Sequence, residues 1–196
     1  MLDEAQKLDP NYPKIYNIYG LTYTMLGETP KAEASFQRAL AIAPSDSDIR
    51  ANYGAFLCAT GRQRESIPEF EAALRDPLYK NPEVALINAG KCTAALGDYK
   101  KADEYLRRAI GASPGNAVAA YNLALIAYRE ARLDDARGWM RPVMREGSPR
   151  AEALYLGMCI ERKIGDKQAE LSYLTQLRNR FPDSAEAKAI GANACQ

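Results

Sequence analysis

The residues of this chain that could carry chemistry are four cysteines and 25 carboxylates, because none of its 196 residues is a histidine. Without histidine the chain lacks the commonest general base and a member of most Ser and Cys catalytic triads. The cysteines, Cys58, Cys92, Cys159 and Cys195, are too widely spaced for a zinc framework of their own. We therefore predict a non-enzymatic protein with no catalytic residue, no bound metal and no cofactor.

A pair of carboxylates is the remaining route to acid–base chemistry. The Asp and Glu residues are scattered at surface-like positions, and no spacing brings two of them together. The glycines are also spread singly, so the chain has no glycine-rich phosphate loop. A hydrolase with a carboxylate pair is kept only as a third alternative, behind the two binding functions described below.

Charge and hydropathy exclude two further classes of function. Lys and Arg total 26 against 25 for Asp and Glu, which leaves no excess of positive charge to bind a nucleic-acid backbone. No long apolar run free of charges is present, so no membrane-spanning helix is predicted. The start, "LDEAQKLDP", also lacks the basic and apolar regions of a signal peptide.

Small residues, apolar residues and prolines recur at a fixed interval along the chain. Gly20, Gly54, Gly90, Ala124 and Met158 follow one another every 34 residues, except that 36 separate Gly54 from Gly90. The same register holds for three more series: Gly27, Gly61, Gly97, Ala131 and Gly165; Phe36, Phe70, Leu106, Met140 and Leu174; and Ala39, Ala73, Ala109, Val143 and Leu177. A fixed period of this length predicts stacked structural repeats.

Each repeat is predicted to be a pair of antiparallel helices. A small residue lets the two helices approach closely, a glycine ends the first helix, and a proline prevents the second from continuing. The predicted units are 13–46, 47–82, 83–116, 117–150 and 151–184. Residues 1–12 are interpreted as the second helix of a truncated repeat, and residues 185–196 as a C-terminal capping helix.

The period and the residues at its landmarks resemble the tetratricopeptide repeat: "GLTY" from Gly20 to Tyr23, then Ala32, Phe36 and Pro44. The resemblance implies an all-α fold, a right-handed superhelix or α-solenoid. It is weakest in the fifth unit, where Gly157 and Met158 occupy the Leu-Gly positions of the motif. Looser packing or a local shift is expected there.

The two extra residues fall in "LRDPLYKNPEVALINAGKC", residues 74–92, which with "LRNRFPDSAEA" resembles the tetratricopeptide lipoproteins of type IV pilus biogenesis, the PilF/PilW-like pilotins. That resemblance implies an outer-membrane lipoprotein on the periplasmic face, whose lipid anchor is absent from this chain. Its implied partner is the pilus secretin subunit, whose localisation and multimerisation it promotes, and hence pilus formation and twitching motility. We expect a monomer. The alternative is a general peptide-binding adaptor or co-chaperone with another partner.

Free buried thiols are the default interpretation of the four cysteines. However, Cys58 and Cys92 lie at nearly the same level in the first helices of adjacent repeats, and the resemblance implies an oxidising compartment. We therefore expect a disulfide between Cys58 and Cys92. Whether Cys159 and Cys195 pair is left open.

The first helices of such repeats line a groove, and residues at helical spacing along them share a face. The candidate partner-binding residues are Asn52, Asn88, Lys91, Tyr121, Asn122, Leu125, Tyr128, Arg129, Tyr155 and Arg162. They would form an asparagine ladder, a tyrosine stripe and a basic rim, suited to a peptide. Alternatively, asparagine is simply common at this position of the motif, and the tyrosines fill seams between helices. A face near Leu2 and Ile18 is the second candidate docking site.

Overall fold

The computed structural model describes residues 9–145, 149–191 and 195, and their regular structure is entirely α-helical. In chain order the helices are α1 (Pro13–Met25), α2 (Thr29–Ile42), α3 (Ser47–Ala59), α4 (Gln63–Ala73), α5 (Pro82–Ala95), α6 (Tyr99–Ala112), α7 (Ala117–Arg129), α8 (Leu133–Arg145), α9 (Ala151–Ile164), α10 (Lys167–Arg180) and α11 (Ala185–Lys188).

The chain divides into two compact units, Met1–Arg108 and Ala109–Gln196. In the first unit α1 packs against α2, α3 against α4, and α4 against α5. In the second unit α7 packs against α8, α8 against α9, and α9 against α10. Each unit is therefore built from antiparallel pairs of consecutive helices.

Two kinds of residue start these helices. Asp46, Asn116 and Asp166 accept a hydrogen bond from the backbone N–H three residues later, at 3.1, 3.0 and 3.0 Å, which satisfies a donor that the helix itself cannot. Proline occupies the first turn of α1, α2 and α5, where its missing N–H costs nothing. The caps Asp46 and Asn116 and the prolines of α1 and α5 lie at or next to the start of a predicted unit.

The first three helix pairs close on a glycine of the first helix. A Cβ added at Gly20 would lie 2.7 Å from the ring of Phe36, and one at Gly54 would lie 3.0 Å from the ring of Phe70. Both rings are fully buried. The small residue and the large apolar residue sixteen positions later are thus a packing pair, as the sequence analysis expected.

In the fifth repeat this pairing is shifted by one residue on both helices. The glycine that meets the second helix is Gly157, and its Cβ would lie 2.5 Å from the ring of Tyr173. Met158, which has the register position of Gly54, is instead fully buried on another side of α9. A local shift, and not looser packing, is therefore what accommodates the departure from the motif.

The turns inside the helix pairs need a left-handed residue. Gly27, Gly61, Gly97 and Gly165 have φ of +73°, +84°, +83° and +92°. In the fourth repeat Ala131 takes that place with φ +58°, a conformation that a Cβ makes costly.

The two-residue insertion lies in the connection between Ala73 and Pro82, which is ordered around Asp76. Its carboxylate accepts from the backbone N–H of Leu78 at 2.8 Å and from the Ser47 hydroxyl at 3.1 Å. The second bond ties the connection to the first residue of α3. The side chain of Leu78 is nevertheless 84% exposed.

Two predicted boundaries differ from the structure. Helix α5 begins at Pro82, the last residue of the predicted unit 47–82, because proline is favoured in the first turn of a helix. The predicted capping helix 185–196 is helical only over Ala185–Lys188 among its described residues. Residues 9–12 form a turn, and the rest of the predicted helix over 1–12 lies outside the described residues.

None of the helices in the described ranges combines the length and apolarity needed to cross a bilayer.

Candidate functional site

The asparagines of the predicted ladder are partly engaged inside the protein. In the first unit the Asn52 amide donates to the side-chain oxygen of Asn17, one repeat earlier, at 3.2 Å. In the second unit Asn122 donates to the carbonyl oxygen of Val118 in its own helix, at 2.7 Å. Asn52 thus joins the first helices of two consecutive repeats, whereas Asn122 bonds within its own helix. Asn88 is half-buried and Lys91 is exposed, both on α5.

An apolar stripe lies along one side of α1 in the first unit. Ile18, Leu21 and Met25 follow one another at helical spacing and are 43%, 39% and 88% exposed. Leu26, directly after the helix, is also exposed. Ile18 belongs to the predicted N-terminal face, so the second candidate docking site includes this helix.

Cys58 and Cys92 are joined by a disulfide, as the sequence analysis expected, with their Cα atoms 5.9 Å apart. The bond links α3 to α5 across consecutive repeats of the first unit. Cys58 is therefore not free to act as a ligand or nucleophile in the groove.

In the second unit Tyr121 lines a cavity of about 330 Å³ between α7, α8 and α9. Ala117, Val118, Val143, Arg150 and Glu152 line it as well. Burial, reinforced by the carboxylates of Glu152 and Glu186, raises the pKa of Tyr121. The hydroxyl therefore stays protonated at neutral pH and is able to donate a hydrogen bond into the cavity.

The same helix shows that the tyrosines also have a packing role. Tyr121, Leu125 and Tyr128 all pack against the buried cluster that includes Ala124, Met140 and Ile160. The alternative interpretation, in which the tyrosines fill a seam between helices, thus holds for their rings. Their hydroxyl groups have a different role.

The hydroxyls of Tyr128 and Tyr155 hold the backbone of Cys195 between α7 and α9. Tyr128 donates to the Cys195 carbonyl oxygen at 2.8 Å, and Tyr155 accepts from the Cys195 N–H at 3.2 Å. The Lys163 ammonium lies 4.2 Å from the centroid of the Tyr128 ring, a cation–π contact. We call Tyr128 and Tyr155 the tyrosine clamp.

A second disulfide, which the sequence left open, joins Cys159 of α9 to Cys195, with Cα atoms 5.2 Å apart. No cysteine of this chain is therefore free. The separation of 36 residues, close to one repeat, was the available signal. It was not decisive because Cys195 follows the last repeat, where the periodicity no longer fixes positions.

Arg162, which was predicted on the basic rim, is hydrogen-bonded within the protein. Its guanidinium donates to the Glu170 carboxylate at 2.7 Å and to the carbonyl oxygen of Gly191 at 3.4 Å. Arg162, followed by Lys167, holds the pKa of Glu170 below its usual value. Glu170 is therefore the partner of this arginine. Arg129 is exposed.

The buried carboxylate of the described residues is paired with an arginine. Glu161 is the one buried carboxylate among those residues, and the Arg137 guanidinium binds both of its oxygens. In the same described part of the chain, no three Asp, Glu or Cys side chains gather as metal ligands would. Glu161 therefore ties α8 to α9, in an environment suited to structure and not to proton transfer.

Five helix pairs of this length, four of them closed by a glycine against a large side chain of the second helix, define the class of protein. Profiles of the tetratricopeptide repeat match residues 1–47 and 57–117, residues 94–156 and residues 152–184. The chain belongs to the tetratricopeptide-repeat family.

Proteins of type IV pili are among the relatives that the chain matches. The type IV pilus assembly protein PilF of Pseudomonas aeruginosa is 24% identical, over 94% of this chain and 73% of PilF. The crystal structure of PilW, a widely conserved type IV pilus biogenesis factor, superposes with a TM-score of 0.89 at 34% identity, over 95% of this chain and 86% of PilW. The structure of P. aeruginosa PilF superposes with a TM-score of 0.87 at 24% identity, over 95% of this chain and 84% of PilF.

These relationships bear on several of the predictions. The all-α tetratricopeptide-repeat solenoid class is confirmed, and so is the homology to PilF and PilW. Proteins of this family are scaffolds or adaptors and not enzymes, and they act through protein partners. The homologues support a scaffold role in type IV pilus biogenesis.

Proposed function

We propose that the protein is a pilotin, which binds the pilus secretin subunit directly and promotes its localisation and multimerisation in the outer membrane. The observation that carries this proposal is the likeness to PilW, at 34% identity and a TM-score of 0.89. A surface made of stacked helix pairs suits the task, because it recognises an extended partner without turning it over.

The periplasmic face of the outer membrane is the proposed location. Both disulfides support it, since they use all four cysteines of the chain and such bonds persist in oxidising compartments. Fractionation of cells, with fatty-acid labelling of the mature protein, tests this. A protein found only in the cytoplasm, with reduced cysteines, would refute the location.

The proposed docking surface for the secretin segment is the apolar stripe Ile18, Leu21 and Met25 on α1. The tyrosine clamp in the second unit already holds Cys195, whereas the stripe on α1 of the first unit presents three exposed apolar side chains on one face that a partner would cover. An exposed stripe at helical spacing fits an amphipathic segment. Asn88 and Lys91 of α5 form the second candidate surface.

The experiment uses Leu21→Glu/Met25→Glu, two exposed positions where a carboxylate does not disturb the core. Leu96→Glu/Leu171→Glu is the matched control, because it places the same charges on exposed leucines elsewhere. We expect secretin monomers to accumulate and surface pili to be lost only in the first variant. Circular dichroism checks that both variants stay helical.

Three outcomes separate the surface from the function. Normal multimers in the stripe variant but not in a deletion strain would reject the stripe, and Asn88→Ala/Lys91→Ala then tests the groove. Normal multimers in the deletion strain itself would reject the pilotin assignment. A purified protein that fails to retain the secretin subunit, yet retains another envelope protein, would favour a general adaptor.

A further inference from the structure

The tyrosine clamp holds a peptide backbone in a way that depends little on sequence. One hydroxyl binds the carbonyl oxygen of Cys195 and the other binds its N–H, so both backbone groups of a single residue are paired. Neither bond involves the side chain of the held residue. The same two hydroxyls would accept the backbone of another polypeptide placed there.

The residue in the clamp is held in an unfavourable conformation. Cys195 has φ +78°, in the left-handed region that costs a residue with a Cβ free energy. The clamp hydrogen bonds and the disulfide to Cys159 are the described contacts that hold it there. Without the disulfide, the strain would oppose retention of Cys195.

We propose that Tyr128, Tyr155 and Cys159 form a peptide-backbone-binding site that Cys195 fills while the Cys159–Cys195 disulfide is intact, and that reduction of this disulfide makes the site available to a segment of another polypeptide. A residue that adopts left-handed φ at little cost, such as glycine, suits the clamp position. The proposal is independent of the secretin assignment, because it concerns the second unit and names no particular partner.

The reductant is a dithiol, supplied by a small molecule or a redox protein. Its thiolate attacks the sulfur of Cys195, because Cys195 is a partly exposed residue whereas Cys159 is only 2% exposed. Cys159 leaves as a thiolate and takes a proton. The second thiol of the reductant then attacks the mixed disulfide, releases Cys195 as a thiolate that is protonated, and closes the reductant's own disulfide. Two electrons and two protons thus pass from the dithiol to the protein.

The first arm of the test asks whether the clamp recognises a backbone. Cys195→Pro removes the thiol and the N–H, and proline does not adopt the required φ. The Cys159 thiol of this variant is then equilibrated with the disulfide of N-acetylcysteine N′-methylamide, which carries the same N–H and carbonyl as Cys195. The disulfide of 2-mercaptoethanol, which has neither, is the reference compound. Mass spectrometry measures both mixed disulfides.

We expect the acetylcysteine amide to be preferred by about tenfold, as two neutral hydrogen bonds allow. Tyr128→Phe/Tyr155→Phe in the same background should remove the preference. Cys58→Ala, which frees Cys92 away from the clamp, should show none. Equal labelling by the two compounds, or a preference that survives the Phe substitutions, would overturn the binding site.

The second arm asks whether the disulfide controls occupancy. Cys58→Ala/Cys92→Ala leaves Cys159–Cys195 as the one disulfide, and hydrogen exchange of the Cys195 amide is followed by mass spectrometry before and after treatment with dithiothreitol. We expect exchange to become at least about tenfold faster on reduction, because the N–H leaves Tyr155. Unchanged protection would mean that Cys195 stays in the clamp without the bond, and would overturn the control.

Discussion

Gly90 of α5 approaches Leu106 of α6 so closely that a Cβ on residue 90 would lie 2.7 Å from the Leu106 Cγ and 3.3 Å from the carbonyl oxygen of Ala102. The Leu106 Cγ and the Ala102 carbonyl oxygen both belong to α6, so making room for a Cβ would require α6 to move. The absence of a side chain at this position therefore sets the distance between the two helices.

Gly90→Ala should accordingly destabilise the protein by about 2 kcal/mol, the usual cost of overpacking a dense interior. Gly138→Ala is the matched control: Gly138 lies inside α8, where an added Cβ meets nothing within 4 Å. That substitution should stabilise by about 0.5–1 kcal/mol, because alanine favours the helix. Urea unfolding followed by circular dichroism measures both. Equal effects of the same sign would contradict the packing argument.

The turns inside the five helix pairs each have a residue in the left-handed conformation. Four of these residues are glycines, and the fifth, Ala131, carries a Cβ. Ala131→Gly should therefore raise the free energy of unfolding by about 1 kcal/mol. Gly165→Ala, with φ +92°, should lower it by a similar amount, again about 1 kcal/mol. Thermal unfolding of the two variants beside the parent gives the comparison. A loss of stability in Ala131→Gly would show that the strain is not relieved by glycine.

The disulfide between Cys58 and Cys92 closes a loop of 34 residues. In the chain-entropy account, its removal should cost roughly 3–4 kcal/mol. Cys58→Ala/Cys92→Ala is to be compared with the oxidised parent in guanidinium, without reductant. Mass spectrometry of native protein should find neither thiol alkylated before reduction. Alkylation of both would rule out the bond in the cell.

Stability should fall in acid partly because of Glu71. Hydrogen bonds from Lys101, and then from the Tyr105 hydroxyl, hold the pKa of Glu71 below its ordinary value of 4.5. The folded protein thus binds this proton less readily than the unfolded chain. The contribution is present above pH 4.5 and is lost as pH falls through the lower, folded pKa.

Lys101→Met removes the Lys101 hydrogen bond, which is the larger of the two causes of the lowered Glu71 pKa. NMR titration of the Glu71 carboxyl carbon should show its pKa rising toward 4.5 in this variant. The acid branch of the stability curve should flatten at the same time. The effect will be small and sensitive to salt, because the pair is partly exposed to solvent. An unchanged Glu71 pKa would show that Lys101 is not the main cause.

The helix pairs could be predicted from sequence because each one repeats the same local constraint. A glycine at the close approach, a buried Phe or Leu and a left-handed turn residue are all required at fixed positions, so their spacing reveals the structure. Ala131, which stands where the other turns have glycine, shows that one departure from the pattern does not hide the register. The expected pairing of Cys58 with Cys92 drew on the same register.

The candidate site was less predictable, because its polar contacts depend on the positions of the terminal side-chain atoms. The repeat register predicts only the backbone positions. Arg162 was assigned to an open rim, but Glu170 and Gly191 take its hydrogen bonds. Tyr128 and Tyr155 were correctly placed near each other, yet Cys195 had no periodic relation to either. A contact 67 positions apart, outside the last repeat, leaves no spacing to detect.

The shifted pair Gly157–Tyr173 limits how far the repeats are interchangeable parts. In the earlier hairpins a first helix could be recombined with the second helix of a neighbour, since the small residue and the large apolar residue have the same register in each. In the fifth hairpin such a chimera would set a bulky residue opposite Met158 and leave Gly157 facing a gap. Recombination or consensus redesign of this chain must therefore exchange residues 151–184 as one piece.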